Sequence, residues 1–189
     1  MSSSPLRAAV ILASTREGRF GPTVAHWFTD RVAARTDFTV DLIDLAEHPM
    51  PAVLTREPAP EMADITARLD AADAFVIVTP EYNHSFPASL KTVIDWHYTQ
   101  WQAKPVGFVS YGGLAGGLRA VEQLRPVFAE LHAVTVRDTV SFHNAWDRFG
   151  SDGAPLDPGP ELAAKAMLDQ LLWWGRALRQ ARTAAPYAA

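Results

Sequence analysis

The sequence predicts a doubly wound α/β fold, a five-stranded parallel sheet in the order 2-1-3-4-5 with helices on both faces. Three continuous apolar runs, Ala8 to Ala13, Ala74 to Val78 and Val106 to Val109, have the unbroken hydrophobicity of strands buried on both faces. Helical periods separate them. Each run ends in a polar or glycine-rich loop, which is where an open sheet of this kind builds a ligand site.

The elements follow in order. After Ala8 to Ala13 comes the loop Ser14 to Gly21 and a helical stripe of Val24, Phe28 and Val32. Phe38 to Asp44 alternates, with Phe38, Val40 and Leu42 on one face and Thr39 and Asp41 on the other, so it reads as a sheet edge. The stripe Met62, Ile65, Leu69, Ala72 leads into Ala74 to Val78, and Leu90, Val93, Ile94 leads into Val106 to Val109. Val121, Leu124, Phe128 and Leu131 precede Ala133 to Arg137, which alternates through Val134 and Val136 and forms the other edge. A last stripe, Leu168, Leu171, Leu172, Gly175, Leu178, closes the chain. Placing the alternating second and fifth strands at the edges gives the strand order stated above, a flavodoxin-like topology.

Two interruptions stand out. Pro126 lies inside the fourth stripe, where it predicts a kink or a late start. Asp138 to Pro160 is a connection rich in Gly, Pro and Asp, longer than a compact domain carries without use. Thr183 to Ala189 reads as a loose tail, and residues 1–189 as one domain, long enough to bury about 70% of the surface of the unfolded chain.

Composition removes several function classes. A net charge of -4 with no basic stripe argues against nucleic acid as the main partner. The chain has no cysteine, which excludes thiol nucleophiles, disulfides and iron–sulfur ligation, so redox chemistry needs a bound organic cofactor. The apolar run after Arg7 is too short for a signal-peptide core or a membrane span, and a cytoplasmic protein is expected. His26, His48, His84, His97, His132 and His143 show no metal-ligand spacing, and no serine sits in a Gly-x-Ser-x-Gly elbow. No side chain stands out as a catalytic acid or base.

The three loops carry the chemistry. In Ser14 to Pro22 the strand ends in hydroxyls and two arginines, and Pro22 opens a helix where proline is tolerated. Backbone N–H groups at that helix start, the macrodipole and Arg16 suit a phosphate dianion. The same loop also reads as a hydroxyl-rich turn with solvated arginines. It lacks both the nucleoside-triphosphate loop pattern and the dinucleotide glycine fingerprint. Pro80 to Ser85 offers backbone N–H groups, the Tyr82 ring and the Asn83 amide, suited to the edge of a planar heterocycle, or a stiff turn with Ser85 as the N-cap of the next helix. The glycines of Ser110 to Gly117 allow close backbone approach. Trp96, Trp101, Trp173 and Trp174 form an aromatic excess that reads as core packing or as a partner surface.

With Ala13 Ser14 Thr15 Arg16 after the first strand and Pro80 Glu81 Tyr82 Asn83 His84 Ser85 after the third, the chain resembles the NADPH-dependent FMN reductase family of flavodoxin-like flavoproteins. That family usually has glycine where this chain has Ala13. The resemblance implies that Ser14 and Arg16 hold the FMN phosphate, helped by Arg19 and Thr23, beside the helix start at Gly21 and Pro22. It implies that Pro80, Glu81, Tyr82 and Asn83 border the isoalloxazine and that Ser110, Tyr111, Gly112 and Gly113 meet its pyrimidine side. The implied reaction is hydride transfer from NADPH or NADH to flavin N5, followed by electron delivery to a flavin, quinone or similar small-molecule acceptor in a ping-pong cycle. The implied assembly is a homodimer or dimer of dimers, with Trp96 and Trp101 near its interface. The alternative is an electron carrier of flavodoxin type, which binds FMN without a nicotinamide site; the arginine-bearing first loop speaks against it.

Overall fold

A computed structural model describes residues 4–56 and 60–188. Its core is a parallel sheet of β1 (Leu6–Leu12), β2 (Phe38–Asp44), β3 (Ala74–Pro80), β4 (Pro105–Gly112), β5 (Val134–Thr135) and β6 (Val140–His143). The order is β2-β1-β3-β4-β5, with β6 also paired to β4. The expected topology is present, and the fifth position holds two short strands in tandem in place of the single edge strand over Ala133 to Arg137. From Val106 to Val109 the β4 strand advances three residues, while the edge advances five from Thr135 to Val140. The surplus forms a bulge at Val136 to Thr139, where Asp138 N donates to Gln170 Oε1 at 3.1 Å.

Helices α1 (Gly21–Ala33), α2 (Ala63–Ala71), α3 (Ala88–Trp96), α4 (Leu118–Glu130) and α5 (Gly159–Ala184) cover both faces. Their apolar stripes divide into two cores. Val24, Phe28 and Val32 of α1 meet Leu168 and Leu171 of α5 on one face; Ile65, Leu69, Leu90, Val93, Leu124 and Phe128 pack on the other. β1, β3 and β4 lie between them, and every residue of β3 and β4 is buried, which is why these runs show no alternation.

Some expectations need correction. Val40 is 36% exposed although it shares a face with Phe38 and Leu42, because β2 is an edge strand. α4 runs without a break through Pro126, with no late start. Both Pro126 and Glu122 are exposed, so the Glu122 carbonyl that loses its helical donor can take water. Ser85 does not cap α3, whose N-cap is Pro87. Trp101 is fully buried against Phe75 and Phe128 and so is no interface residue, and the Trp96 indole donates to Pro51 O at 2.9 Å. The exposed tryptophans are Trp146, Trp173 and Trp174. Within the tail, α5 extends to Ala184 and the Tyr187 hydroxyl pairs with the His132 ring at 2.8 Å; Ala189 lies outside the described residues.

Candidate functional site

The C-terminal ends of β1, β3 and β4 open into one cavity of about 330 Å³. Its walls are Arg16 to Phe20 from the first loop, Pro80 to Tyr82 from the second, Tyr111 to Gly113 from the third, and Trp146. Parallel strands bring these loops to one edge because every crossover returns through a helix to the opposite end of the sheet.

The first loop is poor in internal bonds. Among the described residues, no backbone N–H from Ser14 to Phe20 donates a hydrogen bond, and Arg16 has no ion-pair or hydrogen-bond partner. Its rear is fixed. Arg19 donates to both carboxylate oxygens of Asp44, at 2.6 and 2.5 Å, and to Ser14 O at 2.5 Å. Burial pushes the Asp44 carboxyl up, but the hydrogen bonds from Arg19, the Ala46 N–H and the Arg19 charge together outweigh it and leave its pKa below the usual range. Arg19 therefore ties the loop to the end of β2.

Gly21 starts α1 where only a hydrogen fits: a Cβ there would lie 2.4 Å from Ser14 Oγ and 2.6 Å from both Leu12 Cδ1 and the Tyr111 hydroxyl. Ser14 itself is fully buried, its Oγ accepting from the Tyr111 hydroxyl at 3.1 Å. Burial pushes the Tyr111 phenol up to about 12, which keeps it a donor. Ser14 and Gly21 thus sit behind the cavity wall as its support. Pro22, Thr23 and Asn83 do not line the cavity, and Ser110 is fully buried with its Oγ donating to Gly116 O at 2.8 Å.

The second loop is, by contrast, locked. Tyr82 and Ser85 exchange backbone hydrogen bonds of 2.9 and 3.1 Å around Asn83 and His84, whose φ values are 50° and 71°. Two consecutive left-handed residues make this a type I′ turn, which non-glycine residues adopt at a cost. Gln123 of α4 clamps it, donating to His84 O at 2.7 Å and accepting from Ser85 Oγ at 2.5 Å. Glu81 N donates to Tyr111 O at 3.1 Å, joining the second loop to the third. The Glu81 carboxylate takes Arg119 on Oε1 at 3.0 Å, while Oε2 is buried without a partner among the described residues. A Cβ on Gly113 would meet nothing within 4 Å, so this wall is open on the ligand side.

Trp146 was not legible in the sequence. It lies in the Asp138 to Pro160 connection, and only the length of that segment marked it for attention.

The parts fit FMN. Unengaged N–H groups and a free arginine suit a phosphate, and an unmatched buried carboxylate oxygen suits a ring N–H. Among the described residues no cluster of His, Asp and Glu is placed to hold a metal.

Comparison with known proteins agrees with this geometry. The family model for NADPH-dependent FMN reductase matches residues 6–147. An NAD(P)H-dependent FMN reductase of Schizosaccharomyces pombe is 35% identical over 119 residues, 57% of this chain and 58% of that protein. The chain thus spans little more than half the length of that relative. A 2-hydroxy-1,4-benzoquinone reductase of a Burkholderia species is 28% identical over 180 residues, 90% of this chain and 97% of that one. Among solved structures, the flavoenzyme NAD(P)H:(acceptor) oxidoreductase FerB of Paracoccus denitrificans superposes with a TM-score of 0.73 at 19% identity, over 91% of this chain and 98% of that chain. At that identity the likeness speaks for the fold.

Proposed function

The chain belongs to the NADPH-dependent FMN reductase family, a family of NAD(P)H- and FMN-using oxidoreductases, and from that premise we propose that it is an FMN-dependent reductase of small quinone-type acceptors. One observation carries the reading: a single cavity joins unengaged N–H groups and Arg16 to the backbone of Pro80 to Tyr82 and Gly112 to Gly113. FMN bound there supplies reversible two-electron transfer between a nicotinamide and an acceptor.

The protein's part is to bind and orient. Arg16 and the first-loop N–H groups receive the phosphate, and Arg19 holds that loop in shape through Asp44. The locked turn presents Tyr82 at the ring edge, with Glu81 Oε2 as acceptor for a ring N–H. Open space at Gly113 lets the backbone approach closely. Quinone-type acceptors are favoured because the Burkholderia relative that aligns over nearly its full length carries that activity in its name. A cytoplasmic homodimer completes the proposal. It is supported by the absence of cysteine and by the exposed Trp173, at 65%, beside the partly exposed Trp174 on α5. Among the described residues no helix is long and apolar enough to cross a membrane.

The test is anaerobic reduction of the FMN-loaded protein by NADPH and by NADH, followed by reoxidation with a benzoquinone. Rapid bleaching of the flavin and its recovery are expected. A protein that binds FMN yet is reduced by neither nicotinamide is an electron carrier, and one that binds no FMN overturns the reading altogether.

A further inference from the structure

The connection between β6 and α5 returns over the cavity and is anchored on both sides of Trp146. Asn144 N donates to Gly113 O at 2.9 Å, and Asn144 turns the chain through the left-handed region at φ 49°. A 3-10 turn, Ala145–Asp147, follows; Ala145 is fully buried, and Arg148 N donates back to Ala145 O. Beyond it Arg148 Nε donates to His143 O at 3.1 Å, and Leu156 N donates to Arg148 O at 2.9 Å. Between these anchors the Trp146 side chain is left 61% exposed.

A rigid turn that holds a large indole in water forgoes its burial, a cost this segment carries without relief from its own packing. The indole is not isolated. It meets Phe20 edge-on at 6.4 Å, and Phe20 is backed by Phe149 at 5.4 Å and Tyr111 at 6.4 Å. Phe20, Tyr111 and Trp146 all line the cavity that holds Arg16 and Gly113. The aromatic rail therefore ends on an uncovered indole at the wall of the ligand cavity.

We propose that Trp146 is the retention wall of that cavity, packing against bound FMN and slowing its release. This rests on the FMN reading above and deepens it. The residue decides whether FMN stays as a prosthetic group or exchanges as a dissociable substrate. Because an indole contributes apolar contact and not charge, it acts on the uncharged parts of the ligand, and a flavin without phosphate feels it equally.

The experiment measures release of FMN and of riboflavin from the wild-type, Trp146→Ala and Trp146→Phe proteins, following free flavin fluorescence, with melting of the apo-proteins as control. Trp146→Ala is expected to release both flavins about tenfold faster with association little changed, while Trp146→Phe stays within about threefold of wild type. Arg16→Ala should weaken FMN and leave riboflavin alone, separating the charged end from the wall. An unchanged release rate in a Trp146→Ala protein that melts like wild type overturns the proposal. So does a variant that keeps its FMN but shows a raised KM for a naphthoquinone, since the wall then serves the acceptor. Failure of the wild-type protein to bind FMN at all overturns the FMN reading itself.

Discussion

The two ends of the sheet are chemical opposites. At the end where the parallel strands begin, polar groups are matched to one another: Asp73 accepts from Arg7 N at 3.0 Å and from Arg179 at 3.2 Å, Arg179 also binds Ser4 O and Pro5 O, and Arg182 donates to Ala103 O. Lys104 donates to the carbonyls of Leu69 and Asp70, closing the end of α2. At the end where the strands finish, the first-loop N–H groups, Arg16 and Glu81 Oε2 have no partner among the described residues. Water can take the exposed N–H groups and Arg16, but the buried oxygen of Glu81 left unmatched points to a ligand at this end. The closed end holds the sheet together, and the open end is the one proposed above to take the ligand.

That contrast breaks most visibly at Asp73. Asp73→Ala strands the Arg7 N–H and removes the carboxylate that faces the guanidiniums of Arg179 and Arg182 at a partly buried position, with a loss on the order of 2 to 3 kcal/mol of stability. For a chain of this size that is a fall of roughly 5 to 10 °C in Tm, with FMN affinity unchanged in the folded fraction. Calorimetry alongside an FMN titration checks both halves; weakened FMN binding would show that the two ends are coupled.

The reverse pattern is expected at Arg16. Arg16→Ala removes a charge-assisted contact to phosphate, about 1.5 to 3 kcal/mol of FMN affinity, while Tm of the apo-protein stays put because the side chain has no partner to lose. Gln123→Ala is the milder version on the second loop. Releasing the clamp on Asn83 and His84 is expected to weaken FMN about fivefold, roughly 1 kcal/mol. Equal affinity in the variant would mean that the turn holds its shape through the Tyr82–Ser85 pair alone.

How much of this was readable beforehand depends on what sets each feature. Strand order was legible because burial on both faces leaves continuous apolar runs and edges leave alternation, and the loops were legible because they follow those runs directly. The pairing of Arg19 with Asp44 was not legible because sequence shows a basic residue in a loop but not the carboxylate at the end of the neighbouring strand that it meets. The split at β5 and β6 depends on a bulge with no glycine or proline to mark it. Trp101 stayed open between core and partner surface because its ring contacts come from Phe75 and Phe128, distant in sequence. Trp146 reaches the site through tertiary contacts with no local signature, among them the Asn144 to Gly113 hydrogen bond and the Phe20 ring.

The smallest expected effect concerns the cost of closing the lower end. Lys104 is 6% exposed, and burial, reinforced by Arg182 nearby, pushes its ammonium down to about 8. Below that value the lysine is charged in both folded and unfolded states, and the burial penalty is constant. Between about 8 and the ordinary value near 10.5 the unfolded chain keeps the proton longer than the folded one, so stability contributed by this group rises with pH. The gain from pH 8 to pH 9 is up to about 1 kcal/mol. Lys104→Met removes the titration, so the difference in unfolding free energy between the two proteins should change across that window and be flat between pH 6 and 7. A difference that is flat throughout would mean that Leu69 O and Asp70 O hold the ammonium charged as effectively as water does, and the closed end would then carry no hidden electrostatic cost.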